Sequence, residues 1–305
     1  METIRVTAPW RWILVAAIAP IAWGSTYFVT RHALPADYPL WGAVLRALPT
    51  GLLLLLIARR RPRGAWWWRS LVLGTLNVGA FFILVYLAAQ LLPSSVAATL
   101  MALSALVMAL LAWPLLRERP RAVSLIGAVV GFSGVCLMLW GDAGALNPWG
   151  IAASLAAMLM FAVGFILAKR WGTHVDPIAL TSWQLIAGAV LVLPAALLAE
   201  GAPPALDPPA ILAFLYVTLI ATALANVAWL VALRNLPTAS VGLVGLLNPI
   251  TGVALGVLIA AEPFGPRQAI GVALVLVGVL LGQRQPRGLK MEGYVQPRDR
   301  DQLPR

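Results

Sequence analysis

Residues 91–118 read LLPSSVAATLMALSALVMALLAWPLLRE, and residues 235–262 read NLPTASVGLVGLLNPITGVALGVLIAAE. The second stretch lies 144 positions after the first and aligns with it without a gap, so that Pro93 falls on Pro237 and Glu118 on Glu262. The register continues downstream, where Gly127 falls on Gly271 and Gly134 on Gly278. Upstream the offset drops slightly: Pro39 matches Pro177 at 138 and Gly24 matches Gly164 at 140. The chain is two similar units in tandem. Each quoted stretch is apolar almost throughout and ends on Glu, in a chain of 305 residues with only 11 acidic ones.

Around these stretches the rest of the chain has the same character. It is 61% hydrophobic and 11% charged, where soluble domains carry roughly 25% charged residues. About 20 consecutive apolar residues span a bilayer. Pro, Gly and charge clusters divide the chain into ten such segments, at roughly 10–30, 38–58, 70–91, 94–116, 122–140, 148–168, 178–199, 209–233, 238–260 and 267–283, counted below as spans 1 to 10. The fold class is thus an all-α polytopic membrane protein with ten transmembrane helices. The N-terminal apolar run continues to about Val29, longer than the core of a signal peptide, and reads as a retained first span. The longest connection, RRRPRGAWWWRS at 59–70, leaves no room for a soluble domain.

The net charge is +11, and its placement decides its meaning. Nineteen of the 22 Lys and Arg fall on the N-terminal tail, the even-numbered connections and the C-terminal tail, while the odd-numbered ones hold only Arg31 and Arg267. The positive-inside rule puts both termini in the cytoplasm. The basic residues follow topology, which excludes a nucleic-acid partner; the lipid bilayer is the partner instead. Trp66, Trp67 and Trp68 beside arginines read as an interfacial anchor. The domain reading is a first five-helix unit at 10–141, a second at 148–284 and a basic tail at 285–305 set against anionic lipid.

Five spans per unit is an odd number, so the second unit crosses the membrane in the opposite sense. The two units form inverted five-helix repeats, the arrangement from which carriers build two conformations of similar energy, with substrate at the repeat interface near the midplane. Inversion also explains AAEPFGPRQAIG at 260–271: Glu262 is the inverted twin of Glu118, at the opposite face. Each sits just before the next span, where a carboxylate can cap that span's helix dipole. A proton-coupling role for these carboxylates is the competing reading.

The order and spacing of IAWGSTYFVTRHAL, PLWGAVLRALPTGLLLL, LPSSVAATLMALSALVMALLAWPLLRERP and NPITGVALGVLIAAEPF resemble the drug/metabolite transporter superfamily, in particular its EamA-type two-repeat members, over about residues 12–284. The resemblance implies a ten-helix inner-membrane carrier with a central cavity, often an exporter of amino acids or other small metabolites. The family usually has Pro inside the fourth helix of each unit. Here the second unit has Pro249 and the first has Ala105, which predicts a more regular span 4. The family's small quaternary-cation exporters use a Glu in the first helix, which span 1 lacks.

Polar residues at membrane depth are costly and mark candidate sites. Arg46, the only charge well inside a span, matches an Arg of the family pattern. It either braces backbone carbonyls or binds a substrate carboxylate. Its twin is Gln184. Trp23 and Tyr27 share one face of span 1 and either line a cavity or pack helices. Asn77 and Tyr86 of span 3 join the set, with Gln90 beside them. Thr218, Thr222 and Asn226, followed by Trp229, form one polar stripe on span 8, which must face protein or water rather than lipid. Asn248 and Pro249 of span 9 point to the pocket, because Pro frees a backbone carbonyl one turn earlier. Ser94, Ser95, Thr99, Ser104 and Ser240 are weaker candidates.

The substrate these residues suit is a small amphipathic, neutral or zwitterionic solute. No acid lies mid-span, so facilitated diffusion or exchange fits better than a built-in proton relay. Cys136 is the only cysteine, and His32 and His174 lie far apart, which gives no metal ligand set and no cofactor. The spans hold no HExxH, no GxSxG and no paired His or Asp, so an intramembrane enzyme is excluded. A non-transporting membrane scaffold is the alternative function. The glycine rows Gly127/Gly131/Gly134 and Gly271/Gly278 serve packing within the chain or a homodimer, so the oligomeric state is monomer or homodimer.

Overall fold

A computed structural model describes residues 9–116, 122–139, 146–172, 174–235 and 244–282. Among these residues every regular element is helical. They form α1 (Pro9–Ala33), α2 (Pro39–Ala58), α3 (Trp66–Gly74, Thr75–Gly79 and Ala80–Leu91), α4 (Ser94–Ala102 and Ser104–Leu116) and α5 (Ala122–Leu139) in the first repeat. The second holds α6 (Pro148–Trp171), α7 (Pro177–Ala199), α8 (Pro208–Leu215, Tyr216–Leu224 and Ala225–Asn235), α9 (Leu247–Leu258) and α10 (Pro266–Gly282). Six of them (α1, α2, α3, α6, α7 and α8) are long and apolar enough to cross a membrane, and the other four include shorter apolar helices. Glu118, Ser240 and the C-terminal tail lie outside the described residues.

The surface fits a lipid solvent. Large apolar side chains such as Leu56, Val129, Leu198 and Leu258 are exposed, Leu198 to 88%, whereas the buried positions hold many small residues, among them Ala19, Ala47, Ala89, Ala157, Ala189 and Ala221. Between helices in lipid, close approach of small residues replaces the hydrophobic drive.

The main helix pairings recur when each helix is exchanged for its counterpart five helices away. Helix α1 packs on α8 and α9, and α6 packs on α3 and α4. The contact of α2 with α8 is matched by that of α7 with α3. The pairs α2–α7, α4–α9 and α5–α10 map onto themselves. That is a pseudo-two-fold, and with five crossings per unit it relates inverted repeats. The glycine rows lie on this axis. A Cβ on Gly134 would come within 2.6 Å of the Gly271 carbonyl oxygen, and one on Gly278 within 2.5 Å of the Gly127 carbonyl oxygen. The rows pack against each other within one chain, as backbone-to-backbone contact that no side chain could enter.

Three helix starts of the second repeat carry their own caps, and two of the first are capped from the other repeat. Asn147, Asp176 and Asp207 cap α6, α7 and α8 with their own side chains, each followed by Pro in the first turn. Helices α2 and α4 begin at Tyr38 and Pro93 without a side-chain cap of their own. The Glu200 carboxylate accepts from Leu40 N at 2.7 Å and Trp41 N at 2.8 Å. The Glu262 carboxylate accepts from Ser94 N at 2.6 Å, Ser95 N at 3.1 Å and Ser95 Oγ at 2.9 Å. This corrects the expectation that Glu262 caps the helix that follows it: the helix it caps is α4, across the repeat boundary. Gly256 makes room, since a Cβ there would collide with the carboxylate.

Helix α4 departs from the expected regularity. It breaks at Leu103, where the N–H groups of Leu103 and Leu106 bond only three residues back, at 3.2 and 3.0 Å. No Pro is needed for a break at this level. In α9 the carbonyl that Pro249 cannot bond, that of Gly245, accepts from Asn248 N at 3.1 Å. The interruption is satisfied locally.

The cap on α4 is testable by stability. Replacing Glu262 with Ala strands the first amides of α4 and should cost about 1–3 kcal/mol. Thermal unfolding of the purified protein should show a lower midpoint for Glu262→Ala and a smaller loss for Glu262→Gln. Equal midpoints for parent and Glu262→Ala would contradict the cap's role.

Candidate functional site

Two stretches of wide helix shape the interior. Thr75–Gly79 in α3 and Tyr216–Leu224 in α8 are π-helical and occupy equivalent places in the two repeats. Each extra residue per turn disturbs the backbone bonding, and such segments recur at functional sites. In both cases the second helix of the other repeat supplies a polar partner. From α2, Arg46 Nε donates to Thr222 Oγ1 at 2.6 Å, with Nη2 3.5 Å from the Ala221 carbonyl oxygen. From α7, the Gln184 amide oxygen accepts from Asn77 Nδ2 at 2.8 Å.

The Arg46 guanidinium lies over the Phe82 ring, 4.2 Å from its centroid. Its electrostatic neighbours are the phenols of Tyr27 and Tyr216. Thr222 in turn donates to the Val217 carbonyl at 2.7 Å, five residues back. Thr50, one turn beyond Arg46, places its hydroxyl 2.9 Å from the Arg46 carbonyl and 3.0 Å from that of Thr218. A cavity of about 10 Å³, room for one water at most, opens beside the guanidinium between Thr30, Gly42, Phe82 and Tyr86.

The α1 face continues the cluster. Trp23 packs on Trp229 with ring centroids 5.3 Å apart. Tyr27, one turn along α1, is buried. Ser25 and Tyr216 share a hydrogen bond of 2.5 Å. On the other side of α1, Gly24 sits so close to the Asn248 carbonyl that no Cβ would fit. Trp229 Nε1 and Asn248 Oδ1 are buried without a hydrogen-bond partner. An orphaned donor and an orphaned acceptor in a dry interior each cost free energy.

Trp23, Tyr27, Arg46, Thr222 and Trp229 therefore meet where α1, α2 and α8 converge. Asn226 sits on the same stripe with its amide bonded to the Thr222 carbonyl of its own helix at 2.7 Å. Asn248 and the buried Pro249 adjoin from α9. Tyr86 borders the cavity while its hydroxyl donates to the Pro35 carbonyl, which ties it to the α1–α2 connection. Asn77 is apart from this group, against Gln184 and Gly164.

Three participants escape the sequence pattern: Tyr216, Phe82 and Thr50. On a regular helix Tyr216 lies about 120° around from Thr222, off the stripe, so the pattern gives no sign of its bond to Ser25. Nothing in the sequence announces the Phe82–Arg46 contact.

The profile of the EamA-like transporter family matches residues 10–140 and again 148–282. Protein PecM of Dickeya dadantii is 34% identical over 270 residues, covering 88% of this chain and 91% of its own. An uncharacterized inner membrane transporter of Escherichia coli, YedA, is 27% identical over 86% of this chain and 87% of its own. A crystal structure at 21% identity superposes with a TM-score of 0.63, over 89% of this chain and 96% of that one, and shares the fold. Two matches of one profile, one on each side of residues 141–147, agree with the repeat packing described above. The chain belongs to the EamA-like transporter family.

Proposed function

We propose that this membrane transporter is a secondary carrier for a small organic solute, working by alternating access between its halves, residues 10–141 and 148–284. The direction we assign is efflux across the inner membrane, with both termini in the cytoplasm. The observation that carries the reading is the polar and aromatic cluster held between the two repeats, with Trp229 Nε1 and Asn248 Oδ1 buried and unpartnered beside it. A scaffold has no use for such atoms, whereas a carrier offers them to a solute in one state of its cycle.

Pseudo-symmetric packing supplies the two alternating arrangements. One end of the bundle is laced together across elements. Glu200 and Glu262 make their caps there, Gln90 Nε2 donates to the Thr30 and Leu34 carbonyls at 2.8 and 3.1 Å, and Arg31 bonds the Leu92 carbonyl. In the proposed orientation this is the outer end, closed. The acidic residues of the chain fall at helix ends or in connections and tails, so the cycle runs as facilitated diffusion or exchange.

Purified protein in liposomes should show saturable flux of at least one solute among amino acids, nucleosides and aromatic metabolites. That flux should be indifferent to an imposed pH gradient and reduced at least tenfold by Asn248→Ala, which keeps the fold. Saturable flux that Asn248→Ala leaves intact would remove α9 from the site; flux driven by the gradient would replace the facilitator mechanism with proton coupling.

Orientation has its own check. Fused after Arg305, alkaline phosphatase should be inactive and green fluorescent protein bright. The reverse pattern would invert the assignment of ends.

A further inference from the structure

We infer that Arg46 is the oxyanion-binding residue of this carrier, and that its solute carries a single carboxylate on an apolar or aromatic body. The inference rests on the carrier reading above and adds the substrate class.

The starting point is a charge that has no counterion among the described residues. Arg46 is one turn from Gly42 and Thr50, inside α2, and is the only cation well within a span. None of the ten spans contains an acidic residue. The carboxylate that bonds α2 itself, Glu200, is engaged with the amides of Leu40 and Trp41, about 9 Å of helix away. The groups around the guanidinium are neutral: Thr222, the Ala221 carbonyl, Phe82, Tyr27 and Tyr216. A cation at this depth in lipid is expensive unless an anion joins it.

The obvious competing role is bracing the π segment of α8. The second repeat shows that bracing needs no charge. Gln184, the twin of Arg46, bonds Asn77 in the π segment of α3 with a neutral amide. The same architectural task is met twice, once by a neutral side chain and once by a guanidinium. The positive charge is therefore surplus to architecture. It faces the cavity beside Phe82 and Tyr86, with part of its five-donor fork uncommitted to the two contacts with α8.

A lone guanidinium matches one negative charge. A carboxylate takes its fork in the two-bond geometry that Arg favours, while a doubly charged phosphate would leave net charge stranded in lipid. The rings of Tyr27, Phe82, Trp23 and Trp229 supply flat apolar surface for the remainder of the solute.

The test uses the full chain in liposomes. Each transported solute from the amino acid, nucleoside and aromatic metabolite set is measured beside its uncharged-end counterpart, for example indole-3-acetate beside indole-3-acetamide and phenylacetate beside phenylacetamide. Arg46→Gln copies the residue that the second repeat already uses, and Arg46→Lys keeps the charge without the fork; the folding of both is checked by thermal unfolding. The expected result is saturable flux of carboxylates and not of their amides. In Arg46→Gln the KM for the carboxylate should rise roughly tenfold or more with kcat less affected, and Arg46→Lys should fall between. Saturable flux of nucleosides or amides, or a KM unchanged in Arg46→Gln, overturns the assignment and leaves the carrier standing. A uniform fall of kcat and thermal midpoint for every solute would return Arg46 to the bracing role and overturn it equally. If no solute gives saturable flux with any protein, the carrier reading falls and takes the assignment with it.

Discussion

The amides that open α2 and α4 have no cap within their own repeat. Glu200 and Glu262, both from the second repeat, accept their hydrogen bonds. A buried N–H left unsatisfied costs about 1–3 kcal/mol, and a carboxylate also suits the positive end of the helix dipole. These two contacts do more than close helix ends. They fix where α2 and α4 begin relative to the second repeat, and so set the level at which Arg46 meets α8 and at which α4 breaks at Leu103. A bond that joins the repeats at one end of the bundle is also one that a rocking motion must break or remake.

Symmetry governs the packing but not the chemistry. The Gly134–Gly271 and Gly278–Gly127 approaches are near copies of each other, as are the two π segments. The polar groups that brace those segments differ, Arg46 on one side and Gln184 on the other. A carrier needs its two halves to be similar in energy when exchanged, which the shared backbone contacts provide. It needs no symmetry in the pocket, because the solute itself is asymmetric.

Much of this was readable from the residues. The 144-residue offset, the ten apolar segments and the odd number per unit led to the inverted repeat without reference to coordinates. The stripe of Thr218, Thr222 and Asn226 correctly marked the face of α8 turned to protein. The rest depended on information that a linear pattern does not carry. Glu262 looked like a cap for its neighbour in sequence, and only the fold shows that the free amides nearest to it belong to α4. The break at Leu103 lacks the Pro that signals breaks. The π segments have no compositional mark, and the part Tyr216 plays beside Ser25 is not legible from its place in the sequence.

The most direct test of the account is whether the end joined by Glu200 and Glu262 opens during turnover. Spin labels on Ala36 and Pro263, both exposed at that end, with Cys136 replaced by Ser, would report the distance between them in liposomes by pulsed electron resonance. The account predicts two distance populations whose balance shifts when a transported solute is added. One narrow population, unmoved by solute that the same sample carries, would contradict alternating access at these caps.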